Sequence, residues 1–358
     1  MVTVFLLTAY IIVYGFSIIG NSLVCYVIVR YPRIRNTTNL LLLSLALADL
    51  LSSTSGCIVL SFQYKYRSNS NFTGNENVHP TGAEGDALCR ALTSGTISYI
   101  AIQISELTLM VLAVDRYFSI CFPLKSKLRI KKHQLKYIVP TLWIFGTVTY
   151  SQYIAVTISG EKGLPCEDNY PSDTTGKIIA TVDFTMYCAI PLLIFTFCYC
   201  SILKAIWRPK ISDALDRTCR RRKTQLKTTR ILFTVTFFFC ICVVPNYMDL
   251  LVQVYSAHAY ELEYSVWLFL LHMHAAVNPF IYIFQSSQFR TAFRSIWRKN
   301  IIGPMSDHSM EMGSTTHPAG HGSPAGQTTK TIFKSPSALF RVPIYSTTLG
   351  KGCQSSSH

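Results

Sequence analysis

The sequence is short of charge. Asp, Glu, Lys and Arg make up 14% of its 358 residues, where a soluble globular chain carries about a quarter. Acid is the scarcer sign, with 18 Asp and Glu against 33 Lys and Arg. No Cys, His and Asp set has the spacing of a metal centre, and no nucleophile motif occurs. No apolar stretch repeats another. The first absences speak against an enzyme, and the last against a transporter built from duplicated halves. The 12 cysteines do not make a disulfide-dense secreted domain. Cys25, Cys57, Cys188, Cys198, Cys200, Cys240 and Cys242 lie in apolar runs, where a thiol packs as a small hydrophobe.

Apolar residues fill the gap, at 49% of the chain with a mean hydropathy of +0.29. A membrane helix needs about 20 mostly apolar residues. Seven stretches qualify: Val2–Val29, Leu40–Gln63, Cys89–Ile120, Tyr137–Ile158, Ile178–Ile206, Ile231–Tyr255 and Tyr264–Phe284. The third opens on a Ser- and Thr-rich segment between Arg90 and Gln103, which predicts burial among other helices rather than contact with lipid. The first is too long, and lacks the basic start, for a cleavable signal peptide.

The charge surplus gathers on one side. Arg30–Thr38 holds three basic residues and no acid, Phe118–Lys136 holds six and none, and Lys204–Arg230 holds ten against two. The alternate loops are balanced or acidic. Cytoplasmic loops are the basic ones, so the N-terminus is expected outside and the C-terminus inside. A net charge of +15 is thereby explained by anionic lipid, with no need of nucleic acid. After the last span, Ser286–Lys299 sets Phe289, Phe293, Ile296 and Trp297 on one face among Arg290, Arg294, Arg298 and Lys299, the spacing of a helix lying in the interface. The expected fold is therefore an all-α membrane bundle of seven helices with a short eighth over residues 1–299. A Ser-, Thr-, Gly- and Pro-rich tail over 300–358 is expected to be disordered and cytoplasmic.

Ionisable and polar groups inside a membrane are costly and mark function. Read in order they are Gly20-Asn21, Leu45-Ala46-Leu47-Ala48-Asp49, Asp115-Arg116-Tyr117, Trp143, Pro191 with Tyr199, Phe239 with Pro245, and Asn278-Pro279-Phe280-Ile281-Tyr282 followed by Phe289. Each is weak alone. Together, one set per helix and correctly spaced, they resemble the rhodopsin-like G-protein-coupled receptors over about residues 10–299.

That resemblance implies roles. Arg116, clamped by Asp115 beside Tyr117, is expected to release and meet the G protein, with Tyr199, Asn278, Pro279 and Tyr282 completing the switch. The place of the acid that often restrains this arginine falls near Gln225, so Asp115 is expected to hold it alone and basal signalling to be appreciable. Asp49, Ser105 and Asn278 are the family's sodium ligands. His274 stands where an asparagine is usual, so a sodium site and a purely hydrogen-bonded network both remain open. Pro191, Pro245 and Pro279 are expected to kink their helices. Glu106 is expected to pack near Pro191 and Phe239, protonated or hydrogen-bonded, because a bare buried carboxylate is very costly. Val243 replaces the tryptophan that usually floors the ligand pocket. Cys89 and Cys166 are implied to form a disulfide. Two extra residues between Cys89 and Arg116 predict an extended or bulged outer end of the third helix. Asn71-Phe72-Thr73 is a glycosylation sequon in a long outer loop, whereas Asn36-Thr37-Thr38 faces the cytoplasm.

The implied ligand pocket is lined by Ser98, Asp183, Tyr187, Asp249 and His272. Ser98 replaces the aspartate of amine receptors and His272 the Schiff-base lysine of opsins, which disfavours both classes. Asn36-Thr37-Thr38-Asn39 resembles neuropeptide receptors, and Asp183, Asp249 and the acidic outer loops suit a basic peptide. The implied partners are a heterotrimeric G protein, the lipid bilayer and, at the tail, kinases and arrestin; no cofactor beyond sodium is implied. A receptor for a non-amine small molecule, a non-signalling decoy and, more remotely, a transporter or channel are the competing readings.

Overall fold

The computed structural model describes residues 2–73, 80, 82–160, 166–207, 216–256 and 261–302, with side chains except at 2–4, 63–73, 126, 216–223, 261–265 and 296–302. The tail expected beyond 300 lies outside these residues from 303 onward. The chain runs α1 (Val2–Arg30), α2 (Thr37–Thr73), α3 (Gly82–Leu88), α4 (Thr96–Cys121), α5 (Leu135–Tyr150), α6 (Gln152–Val156), β1 (Thr157–Ser159), β2 (Cys166–Asp168), α7 (Asp173–Phe184), α8 (Ile190–Trp207), α9 (Asp216–Ser256), α10 (Glu261–Gln285) and α11 (Ser287–Ile302).

Among the described residues six helical stretches are long and apolar enough to cross a bilayer. The fourth expected span is the short one. Its α5 has 16 residues and resumes after Ser151 as α6. With it the bundle has seven membranous helices, and α11 is the eighth. Lipid as solvent explains their outer faces, where Phe5, Leu193, Phe197 and Phe284 are 59–74% exposed. Water would not tolerate such a surface. The polar groups turn inward instead, and Asn21, Asp49, Ser105 and Thr108 are fully buried.

Helix α4 is the hub, packed on α2, α5, α8 and α9, while α10 closes the bundle against α1, α2 and α9. Small residues set the close approaches. A Cβ on Gly20 would lie 2.7 Å from Pro279 Cγ, and one on Gly146 would lie 2.9 Å from Ile104 Cγ1. The missing side chain of Gly20 thus lets α1 seat against the proline of α10. At the inner end of α1 the chain turns through a 3-10 turn over Pro32–Ile34, and Asn36 Oδ1 caps α2 by accepting from the Asn39 N–H at 2.8 Å.

Several boundaries depart from expectation. The third span does not begin as α-helix at Cys89. A π-helical turn occupies Cys89–Thr93, and α4 starts only after Gly95, whose φ of 81° is left-handed. This is the bulge that the two extra residues imply, because a π turn absorbs added residues in place. The fifth span starts earlier, at Asp173, where Ser172 Oγ accepts from the Thr175 N–H, and a second π turn at Thr185–Ala189 separates α7 from α8. Helix α2 reaches Thr73, so the Asn71 backbone is helical rather than in a loop; its side chain lies outside the described ones.

Outside the bundle, β1 and β2 form an antiparallel hairpin that the all-helical expectation lacks. The Cys89–Cys166 disulfide ties it to the π turn, Asp86 Oδ1 accepts from the Ser159 N–H and Oγ–H at 2.7 and 2.8 Å, and Arg90 Nε donates to Thr157 O at 3.0 Å. Burial pushes the Asp168 carboxyl in this hairpin above the usual range, despite hydrogen bonds from Thr157 and Tyr170.

Gly20→Ala is expected to push α1 off α10 and cost about 1–3 kcal/mol, the range for overpacking. The check is the thermal unfolding midpoint of the purified protein; an unchanged midpoint would show that the α1–α10 contact yields freely.

Candidate functional site

The buried polar side chains form a seam that starts at Asp49. Its Oδ1 accepts from Ser105 Oγ at 2.9 Å and its Oδ2 from Asn278 Nδ2 at 2.8 Å, joining α2, α4 and α10. Hydrogen bonds to a charged partner contribute about 1.5–3 kcal/mol each. The seam continues through Ser53, which donates to Ser17 Oγ at 2.6 Å, to Asn21, which donates to Ala275 O at 2.9 Å. So α1 joins the same network. The ring of His274 lies beside it, with Nδ1 against Leu271 O and Nε2 3.7 Å from Asp49 Oδ1. A carbonyl only accepts, so Nδ1 carries a hydrogen. The 3.7 Å separation is too long for a hydrogen bond but keeps the ring against the carboxylate. Phe239 packs on the imidazole as an edge-on pair, with centroids 5.2 Å apart. The oxygens of Asp49 and Ser105, side by side, are chemistry that suits sodium, and His274 takes the neighbouring space.

At the inner end of α4, Arg116 pairs with Asp115 and also donates from Nη2 to Thr38 Oγ1 of α2 at 3.0 Å. Asp115 Oδ1 in turn accepts from the Ile130 N–H at 3.3 Å. Asp115 is thus not the sole restraint; sequence reasoning missed Thr38, whose only signal is its place at the start of α2. Neither tyrosine expected at Arg116 bonds to it. The Tyr199 hydroxyl meets Thr236 Oγ1 at 3.0 Å, and Tyr282 stacks on Phe289 at 5.6 Å. Tyr117 packs instead among Phe118, Phe122 and Phe197. Helix α9 is fastened elsewhere, by Gln285 Nε2 to Thr234 Oγ1 at 3.1 Å and Lys227 Nζ to Ser287 Oγ at 3.0 Å.

Between these levels sits Glu106, 2% exposed, within electrostatic reach of Tyr187, Cys188, Cys240 and Tyr247. Among the described residues its Oε2 has no protein hydrogen-bond partner. Val243 is buried in the same core, and Pro245 and Pro279 lie inside their helices, with Pro140 a further interior proline in α5.

The expected outer pocket divides in two. On one side Asp183 accepts from Tyr153 Oη and from Gln152 Nε2 at 3.1 Å, beside a run of aromatic rings. Tyr99 stacks on Tyr150 at 5.6 Å, Tyr150 on Tyr153 at 4.6 Å, and Tyr187 bridges Tyr150 and Tyr247. On the other side Ser98 pairs with Ser55 Oγ at 2.5 Å, while His272 faces Tyr14 and Tyr10 edge-on. Asp249 accepts from Gln253 on its own helix at 2.6 Å. The tyrosine run was not anticipated, although Tyr150 and Tyr153 stand three apart in sequence, the spacing that puts two rings on one face of a continuous helix.

A seven-helix membranous bundle with a buried polar seam, a restrained arginine at one end and a disulfide-tied hairpin at the other is the build of a membrane receptor. Residues 20–282 match the sequence model of the 7 transmembrane receptor (rhodopsin family), and the chain belongs to that family. It is not a family of enzymes. The chain is similar to the RYamide receptor of Drosophila melanogaster, 28% identical over 303 residues that cover 79% of this chain and 61% of that one. It is 28% identical to the growth hormone secretagogue receptor type 1 of Homo sapiens, covering 77% and 76%. To the tachykinin-like peptides receptor 86C of Drosophila melanogaster it is 23% identical, covering 78% and 56%. The aligned part thus spans less than two thirds of both insect relatives.

Thr38→Val removes the α2 contact of Arg116 while keeping its shape. Basal G-protein activation in transfected cells is expected to rise severalfold at equal surface expression; basal output equal to wild type would show that Thr38 does not restrain the arginine.

Proposed function

We propose that this protein is a plasma-membrane receptor that converts binding of a basic peptide outside into activation of a heterotrimeric G protein inside. The observations that carry the reading are the seam from Asn21 through Asp49, Ser105 and Asn278 and, separately, Arg116 restrained by Asp115 and Thr38 near the end of α4. Ligand and G protein would bias the same two arrangements of the bundle, and so each would strengthen binding of the other. Arg116 leaves Asp115 and Thr38 as α9 swings away from Gln285 and Ser287. Pro245 gives the helix its hinge, since it removes a backbone hydrogen bond. Asn278, Pro279 and Tyr282 reposition with it, and Tyr199 exchanges Thr236 for the freed arginine. Glu106 and Val243 relay the pocket to this core.

The peptide character is supported by relatives that are themselves named as receptors for peptides. Asp183 beside five tyrosines would receive a guanidinium or ammonium, which an aromatic face also attracts. Tyr187, Asp249, Ser98 and His272 would complete the pocket. Sodium at Asp49, Ser105 and Asn278 would neutralise the buried carboxylate and favour the resting arrangement. The N-terminus lies outside, with a glycan at Asn71, and the Ser and Thr of the tail serve kinases and arrestin inside.

A cell assay with a library of basic peptides tests this. An active peptide should lose all G-protein activation with Arg116→Ala, and Asp183→Asn should weaken its potency about thirtyfold or more, as loss of a buried charge partner costs about 2–5 kcal/mol. Asp49→Asn should abolish the dependence of basal output on sodium. Binding without activation in the wild type would instead make the protein a decoy, and ligand-evoked current a channel.

A further inference from the structure

The junction of α10 with α11 holds two neighbouring serines in opposite circumstances. Ser286 is buried, and its Oγ accepts from the Phe289 N–H at 3.5 Å, so it serves the start of α11. Ser287 is exposed and presents its hydroxyl to another helix. Lys227 of α9, also exposed, donates from Nζ to Ser287 Oγ at 3.0 Å. Between exposed groups such a bond adds little, because water serves the ammonium nearly as well. The surroundings suit an anion better than a hydroxyl. Ser287 shares a face of α11 with Arg290 and Arg294, three and seven residues on, while Phe289 and Phe293 turn to the other face. Arg290 Nη1 donates to Phe284 O, which holds its guanidinium at the same junction. In the sequence no acid occurs between Glu263 and Asp307. Cations from two helices thus gather at one exposed hydroxyl, on a stretch of chain that supplies no counter-charge.

We propose that Ser287 is a phosphorylation site, and that its phosphate locks the inner end of α9 to the junction of α10 and α11. The arginines that follow Ser287 suit a Ser/Thr kinase with an acidic substrate cleft. The γ-phosphoryl group of ATP passes to Ser287 Oγ. The Oγ–P bond forms, the bond from Pγ to the bridging oxygen breaks to release ADP, and the hydroxyl proton goes to the base of the kinase. The phosphate brings about −1.5 to −2 of charge and three acceptor oxygens to the place where Lys227 Nζ already lies. A neutral contact becomes an ion pair with no movement of the backbone, and Arg290 joins it from the same helix. The consequence for signalling rests on the function proposed above. The swing of α9 has to break the Lys227 contact, so strengthening that contact favours the resting arrangement. This brake lies within the bundle and needs no bound protein to act.

The test uses the full chain, expressed in cells treated with phosphatase inhibitors, purified, and divided into phosphatase-treated and untreated halves. Peptide mass spectrometry is expected to find phosphate on Ser287 in the untreated half. Backbone hydrogen exchange over residues 224–234 should be about threefold slower there than in the treated half, the effect of one exposed ion pair. The difference should vanish in Ser287→Ala, which keeps every other phosphorylation site, and in Lys227→Gln, which removes the charge that the phosphate meets. This readout needs no G protein. In membranes from the same cells, phosphatase treatment should raise basal G-protein activation about threefold in wild type and leave Ser287→Ala unchanged. Absence of phosphate on Ser287, or a difference in exchange that persists in Ser287→Ala, would overturn the site and leave the receptor reading intact. Slowed exchange with no G-protein activation in either half would instead sustain the lock and overturn the receptor reading.

Discussion

A carboxylate cannot sit in the middle of a lipid-embedded bundle without partners, and the architecture follows from how Asp49 meets that demand. Its two oxygens take hydrogen bonds from Ser105 and Asn278, which fixes α2, α4 and α10 to one another. Asn21 and Ser53 extend the same network to α1. In a bilayer the apolar surface gives little drive for helix to pack on helix, since lipid tails are as apolar as leucine. Close approach at small residues and polar contacts across helices must supply it. Gly20 against Pro279 is the first kind and the Asp49 network the second, and the two meet at the same level of α10.

Because the resting bundle is tied at this level, change is left to the ends. Toward its inner end α9 is tied by short polar contacts, Thr234 with Gln285, Lys227 with Ser287 and Thr236 with Tyr199, and Arg116 by one carboxylate and one hydroxyl. Such contacts exchange readily for others, whereas the buried carboxylate network does not. The outer end is the opposite case. Its hairpin is tied down by a disulfide and by Asp86 and Arg90.

How much of this is legible in the sequence depends on whether a residue's meaning is local or relational. Seven apolar runs follow from hydropathy, and the Asp49, Ser105 and Asn278 set follows from the resemblance, because each motif has a fixed place in its helix. The bulge before α4 is readable too, since it is a count of residues between Cys89 and Arg116. Rotamers and partners are not readable. Tyr282 could turn toward Arg116 or stack on Phe289, and only packing decides for Phe289. Ser98 and Asp183 look like walls of one pocket, yet each finds a nearer partner, Ser55 in one case and Tyr153 with Gln152 in the other. The two π turns are equally hidden, as no residue type specifies them.

The central claim is that the fixed middle lets the inner end of α9 move away from α4 as Arg116 is released. The most direct measurement is the distance between spin labels at Arg230→Cys and Lys125→Cys, in a background without other exposed cysteines, with and without nucleotide-free G protein. The account predicts a longer distance in the complex, and the same lengthening should be lost with Arg116→Ala. An unchanged distance with G protein bound would contradict it.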